Sequence, residues 1–110
     1  MTNTLTTAQE AIIAIVKQYC PDTKVTETDY GVVWVNWTDN CSEKHWITEH
    51  SYMAKIGPRG GFKIVSAHCA LDFDGDKKLQ RTMAYNCLSA MRRESDRWNL
   101  GRLRGTVAIR

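Results

Sequence analysis

The sequence predicts an α+β fold, a two-layer sandwich in which two helices flank an antiparallel sheet of about four strands. Two segments with apolar residues at the helical period lie towards the ends of the chain. Four segments that alternate in polarity, or are rich in β-branched and aromatic residues, lie between them. The predicted order is α-β-β-β-β-α with a short C-terminal strand as an option, which is typical of this class.

The first helix is predicted over residues 7–20. Its apolar side chains recur every three or four positions, so they form one buried stripe. Thr6 or Thr7 can cap its N-terminus, with Gln9 or Glu10 as the reciprocal partner of a capping box. Pro21 ends the helix because proline cannot continue it.

The second helix is predicted over residues 77–95. Asp74 or Asp76 is a suitable N-cap, since a carboxylate accepts hydrogen bonds from the free amides of the first turn. The other side of the helix is polar and basic. The predicted apolar stripe consists of Leu79, Met83, Cys87, Leu88 and Met91.

Four strands are predicted between the helices, at residues 24–28, 32–38, 45–56 and 62–71. Residues 39–44 are predicted to form a loop, and residues 57–61 carry the proline and glycines of a tight turn. Alternation in the second strand puts Val33, Val35 and Trp37 on one face. The helices should cover one sheet face, and the other should be partly open, with Trp, Tyr and His side chains available for binding.

Length and composition exclude several classes of protein. At 110 residues, with 43% hydrophobic and 25% charged residues, the chain resembles one ordinary globular domain. It contains no apolar run of membrane-spanning length, and its first residues lack the pattern of a signal peptide. We therefore expect a cytoplasmic protein without a membrane partner, whose four cysteines are reduced.

Charge is distributed unevenly along the chain. Residues 1–76 carry six Lys/Arg and ten Asp/Glu, which gives a net charge of −4. Residues 77–110 carry nine Lys/Arg and two Asp/Glu, which gives a net charge of +7. All the basic groups of the last nineteen residues are arginines, which suit bidentate recognition of phosphate. Residues 1–110 are interpreted as one domain, with residues 98–110 as a basic extension or an edge strand. This segment either folds onto the acidic body or binds something else.

The candidate binding residues lie on the second helix and in the C-terminal segment. They are Lys77, Lys78, Arg81, Arg92, Arg93, Arg97, Trp98, Arg102 and Arg104. Basic surfaces with interleaved aromatic side chains bind nucleic acid, so the favoured function is non-catalytic binding of nucleic acid or of a nucleic-acid-handling complex. A solvated helix face explains the same charges without any ligand.

Two further hypotheses about partners remain open. Tryptophan, tyrosine and arginine dominate the energetics of protein interfaces. The chain has four Trp and four Tyr, so an inhibitor or adaptor of the phage-accessory type could use an aromatic sheet face. The strand-like C-terminal run could also pair with a second copy of the chain, giving a homodimer through its edge.

The opening of the second helix, residues 76–84, resembles the start of the last helix in double-stranded-RNA-binding domains. The resemblance implies that Lys77, Lys78 and Arg81 contact the phosphates of a duplex. It covers nine residues. The chain departs from the family pattern in having four predicted strands rather than three, and in lacking the Gly-Pro-x-His loop between the first two.

No motif predicts catalysis, a cofactor or a bound metal. The chain lacks the glycine-rich phosphate loop and the nucleophile elbow of known enzyme classes. Cys41 and His45 could meet at the start of one strand, but His68 and Cys69 are adjacent strand residues that point to opposite faces. The sequence therefore predicts neither a zinc site nor a catalytic residue.

Overall fold

The computed structural model contains two helices and five strands. It describes residues 5–28, 30–43, 46–69, 76–101 and 103–109, without the side chains of residues 40–48. The elements are α1 (Thr7–Tyr19), β1 (Lys24–Glu27), β2 (Val33–Glu43), β3 (Trp46–Ile56), β4 (Phe62–Cys69), α2 (Lys77–Arg97) and β5 (Gly105–Val107). The α+β class and the predicted order of helices and strands are confirmed.

The five strands form one mixed sheet in the order β1-β2-β3-β4-β5. Strands β1 to β4 are an antiparallel meander. Strand β5 pairs with β4 in parallel, with Phe62 opposite Gly105 and Ile64 opposite Val107. Parallel neighbours need a long crossover connection, and α2 supplies it. The optional C-terminal strand is therefore present, as the edge strand beside β4.

The prediction of a loop at residues 39–44 is wrong for residues 39–43. These residues belong to β2, which ends at Glu43. The backbone of β2 stays paired with β3 along its whole length, from Val33 opposite Ile56 to Glu43 opposite Trp46. The Asp, Asn and Ser residues of this stretch are turn formers in isolation. Continuous cross-strand pairing overrides that local preference, as it commonly does in sheets.

The N-terminus of each helix is capped as the sequence predicts. The Thr6 hydroxyl accepts the backbone N–H of Gln9 at 3.1 Å, and the Gln9 side chain accepts the backbone N–H of Thr6 at 3.0 Å. This is a complete capping box. At α2 the Asp76 carboxylate accepts the backbone N–H of Leu79 at 3.0 Å. Short-range hydrogen bonds therefore fix where both helices begin.

Helix α2 continues to Arg97 rather than ending at residue 95. Asn99 adopts a left-handed conformation with φ of 54°. That conformation turns the chain back, and the N–H of Leu100 donates to the carbonyl of Ser95 at 3.1 Å. The Ser95 side chain is 1% exposed and donates to the carbonyl of Gly101. The end of α2 is thus held in place, which fixes the direction of the C-terminal segment.

The core lies between the helices and one face of the sheet, here called the inner face. The inner strand residues are Val33, Val35, Trp37, Tyr52, Ala54, Ile56, Phe62, Ile64, Ala67 and Cys69. The ring centroid of Trp37 lies 5.4 Å from that of Tyr52 and 6.1 Å from that of Phe62. In α2 the predicted stripe is buried except for Leu79, which is 37% exposed and lies outside the core.

Candidate anion-binding surface

The opposite face of the sheet, here called the outer face, is left open by the described residues. Strand pairing aligns one outward residue from each strand into a single row across the sheet. That row is Thr26, Trp34, Lys55, Lys63 and Thr106. Trp34 and Lys55 are half-buried, and the other three are exposed.

Lys55 and Lys63 face each other directly across β3 and β4. Like charges at directly opposite positions destabilise a sheet. Neither ammonium group has a hydrogen bond or ion pair with another described residue. Packing does not require this pair either, because it lies outside the core. An anion bound between the two lysines would remove the repulsion.

Two adjoining cavities meet at Lys63 and Gly61. One, of about 400 Å³, is lined by Val32, Lys55, Gly57, Pro58, Arg59, Gly61 and Lys63. The other, of about 390 Å³, is lined by Gly61, Phe62, Lys63, Arg92, Leu103, Arg104, Gly105 and Thr106. We call the two together the basic groove. It carries five cations, and no Asp or Glu is among the described residues that line it.

Arg59 is carried at one end of the basic groove by the tight turn at residues 57–61. Gly60 has a φ of +86°, and its N–H donates to the carbonyl of Gly57 at 2.9 Å. The Thr6 hydroxyl donates to the carbonyl of Pro58 at 2.7 Å, which ties the turn to the start of α1. The Arg59 guanidinium is therefore attached to a braced backbone rather than to a free loop.

Arg92 holds the C-terminal segment against the body at the other end of the groove. Its Nε donates to the carbonyl of Leu103 and its Nη2 to the carbonyl of Gly105, each at 3.3 Å. Arg81 acts in the same way, with Nη1 donating to the carbonyl of Ile109 at 3.3 Å. Two of the predicted binding arginines thus have a structural role, and the basic segment folds onto the body.

The remaining predicted residues do not form one patch with the basic groove. Lys77 and Lys78 are exposed at the start of α2. At 1.5 Å per residue, Lys78 lies about 21 Å along the helix from Arg92. Arg93 is exposed near the end of α2, and Arg104 lines the groove. Arg102 lies outside the described residues.

Trp98 and Arg97 form a separate small cluster at the end of α2. The Arg97 guanidinium lies 5.7 Å from the ring centroid of Trp98. The indole N–H of Trp98 donates to the Glu94 carboxylate at 2.7 Å, and Arg97 lies 4.0 Å from the same carboxylate. Glu94 therefore neutralises part of the positive charge at this end of the helix.

A second concavity on the outer face, here called the trough, has a different chemistry. It has a volume of about 540 Å³, and its lining includes Lys24, Asn36, Ser51, Met53, Ser66 and His68. Met53 is 38% exposed, and the side-chain oxygen Oδ1 of Asn36 is buried without a hydrogen-bond partner among the described residues. Trp34 lies on β2 between Val32 of the basic groove and Asn36 of the trough.

The inner face carries a polar row at one end, where Asp39, His50 and Cys69 are paired across three strands. His50 is 6% and Cys69 7% exposed, which is the burial of core residues. The Tyr19 hydroxyl donates to Asp39, and burial raises the pKa of Tyr19 far above its ordinary value. This row belongs to the interior, where His50 Nε2 is buried without a hydrogen-bond partner among the described residues.

No group of three or more His, Cys, Asp or Glu side chains suited to a metal ion occurs within the described ranges. His68 is exposed on the outer face and Cys69 is buried on the inner face, as strand alternation predicts. The Cys41 side chain and His45 lie outside the described residues. In the parts of the chain that the structure describes, no helix combines the length and apolar character needed to cross a membrane.

Three cations of the basic groove, Lys55, Arg59 and Lys63, are not among the predicted binding residues, because they lie in the part of the chain with net negative charge. A usable signal was present in the hairpin. Lys55 and Lys63 are placed symmetrically about Arg59 at the centre of the turn, so a regular antiparallel hairpin brings the two lysines opposite each other.

Comparison with known proteins gives no assignment: no protein family, curated protein or solved structure matches this chain.

Proposed function

We propose that the protein binds nucleic acid through phosphate contacts in the basic groove, without catalysing a reaction. The observation that carries this proposal is the gathering of five cations around two adjoining cavities with no described acidic residue in their lining. Clefts lined by charge of one sign concentrate ligands of the opposite sign. Lysine and arginine contacts to phosphate supply most of the affinity in nucleic-acid binding.

The extent of the basic groove favours a polyanion over a single small anion. Its cations come from the hairpin turn, from β3 and β4, from α2 and from the segment that precedes β5. Neighbouring strands lie about 4.8 Å apart, so the strands that carry or border these cations span about 10 Å. A chain of phosphates can contact cations along the whole groove at once, whereas one phosphate reaches only those nearest to it.

The competing hypothesis of an adaptor with an aromatic sheet face is less well supported. Trp37 and Tyr52 are 3% and 4% exposed and belong to the core. Of the tryptophans whose side chains are described, Trp34 alone lies on the outer face, where its neighbours are Lys55 on β3 and Thr26 on β1. That surface is therefore more basic than aromatic.

The proposal is tested by fluorescence anisotropy with a labelled oligonucleotide at several salt concentrations. We expect binding that weakens steeply as salt rises, because phosphate contacts release counterions. Lys63→Gln should weaken binding several-fold. Lys17→Gln is the matched control, since Lys17 is an exposed lysine on α1, in the opposite layer. Absence of binding at low salt, or equal losses from both variants, would contradict the proposal.

A further inference from the structure

We propose that the nucleic acid bound by the basic groove is single-stranded, with one base stacked on Trp34 and the next bases seated in the trough. This inference rests on the proposed function, because it assigns the bases of a ligand whose phosphates occupy the groove. Three residues that are not among the five cations of the groove would contact the bases: Trp34, Asn36 and Met53.

Trp34 has the position that a stacking residue requires. It is half-buried on the outer face, directly opposite Lys55, which itself faces Lys63. Neighbouring strands lie about 4.8 Å apart, so an indole and two ammonium groups follow one another across the sheet within about 10 Å. Aromatic side chains beside a positively charged groove are the usual platform for unpaired bases.

The trough suits bases better than phosphates. Its lining combines the apolar side chain of Met53 with small polar groups from Ser51 and Ser66. Its charged lining residues Asp22 and Lys24 carry opposite charges, so the trough lacks the excess of positive charge that the basic groove offers to a phosphate. The trough and the lysine pair Lys55 and Lys63 of the basic groove therefore divide the outer face into a site for bases and a site for backbone.

Asn36 supplies an observation that points to a ligand in the trough. Its side-chain oxygen has no exposed surface and lacks a hydrogen-bond partner among the described residues, so a donor on a base reaches it only after the Asn36 side chain turns towards the trough. Leaving a buried acceptor unpaired is unfavourable. A base offers amino or imino N–H donors on its pairing edge when it is not paired with a second strand.

A duplex does not fit this arrangement. Its bases are stacked inside the helix, so the Trp34 ring could not stack on one of them without unpairing the strands. The resemblance of residues 76–84 to double-stranded-RNA-binding domains implies the opposite ligand, held at Lys77, Lys78 and Arg81. Arg81 instead donates to the backbone carbonyl of Ile109.

The test compares a labelled single strand of about 12 nucleotides with a duplex of the same length, as DNA and as RNA, at one salt concentration. We expect the single strand to bind at least tenfold more tightly. Trp34→Leu should lower its affinity between about 5-fold and 150-fold, the range for loss of one stacked base. Trp34→Phe, which keeps an aromatic ring, should retain most of the affinity.

Tyr85→Leu is the control for removal of an aromatic ring. Tyr85 is 55% exposed on α2, in the layer opposite to the trough, so this variant should bind like the wild type. A duplex that binds as tightly as the single strand, or a Trp34→Leu variant of full affinity, would overturn the inference and leave the proposed function standing. Absence of binding by either probe would overturn the proposed function itself.

Discussion

The two faces of the sheet use alternate residues of the same strands and follow different rules. On β2, Val33, Val35 and Trp37 are at most 3% exposed and pack beneath the helices. Their neighbours Trp34 and Asn36 are half-buried on the open face. Packing accounts for the apolar inner residues, although Trp37 Nε1 and His50 Nε2 are buried there without a hydrogen-bond partner among the described residues. The outer face instead carries two facing lysines and a half-buried indole, which lie outside the core.

This difference separates residues that build the structure from residues that are free to serve a ligand. A protein tolerates local costs such as facing like charges where function requires them. Substitutions on the inner face should therefore reduce stability strongly, whereas substitutions on the outer face should reduce binding and cost less stability.

The largest expected effect comes from truncating an inner aromatic residue. Phe62 is 1% exposed and lies against Trp37. Phe62→Ala should lower the free energy of unfolding by about 3–5 kcal/mol, through lost burial and the cavity that remains. Trp34→Ala on the outer face should cost less, about 1–2 kcal/mol, because its side chain is only partly buried. Urea unfolding followed by circular dichroism measures both, and equal losses would refute the contrast between the faces.

An intermediate effect is expected at the junction of β5 with the body. A Cβ atom on Gly105 would lie 2.8 Å from Cδ2 of Phe62 and 3.0 Å from Cδ1 of Leu88. Gly105→Ala should therefore cost about 1–3 kcal/mol through overpacking. Gly57→Ala is the matched control, since no atom lies within 4 Å of its added Cβ. A Gly105→Ala protein as stable as the Gly57→Ala protein would show that β5 is not packed as described.

The smallest effect on stability is expected from the lysines of the outer face, and its sign is positive. Lys55→Gln should raise the free energy of unfolding by a few tenths of a kcal/mol at low salt, because it relieves repulsion with Lys63. The gain should disappear at high salt, where exposed charges are screened. Lys17→Gln removes a cation from the last turn of α1 and should destabilise slightly. Destabilisation of equal size by both variants would contradict the repulsion.

Much of the fold follows from local sequence signals. The capping residues Thr6 and Asp76 and the alternation of β2 each depend on residues a few positions apart, so the chain itself displays them. The extension of β2 to Glu43 depends on its partner strand. The parallel pairing of β5 depends on where α2 returns the chain. Neither is visible in a short window of sequence.

The candidate site was only partly predictable for the same reason. Counting charge along the chain selects the last third, yet Arg81 and Arg92 of that third donate to backbone carbonyls. Lys55 and Lys63 come from the acidic part of the chain and join Arg104 only through strand pairing. Net charge over a segment does not show which cations share a surface.

We place the contacts to the nucleic-acid backbone at the cations of the basic groove rather than on the exposed face of α2. The most direct measurement is the slope of log affinity against log salt concentration for a single strand, in the wild type, in Lys55→Gln/Lys63→Gln and in Lys77→Gln/Lys78→Gln. Loss of two phosphate contacts should reduce the slope by about 1.4 in the first variant. An unchanged slope for Lys55→Gln/Lys63→Gln, together with a reduced slope for Lys77→Gln/Lys78→Gln, would show that α2 makes the phosphate contacts instead.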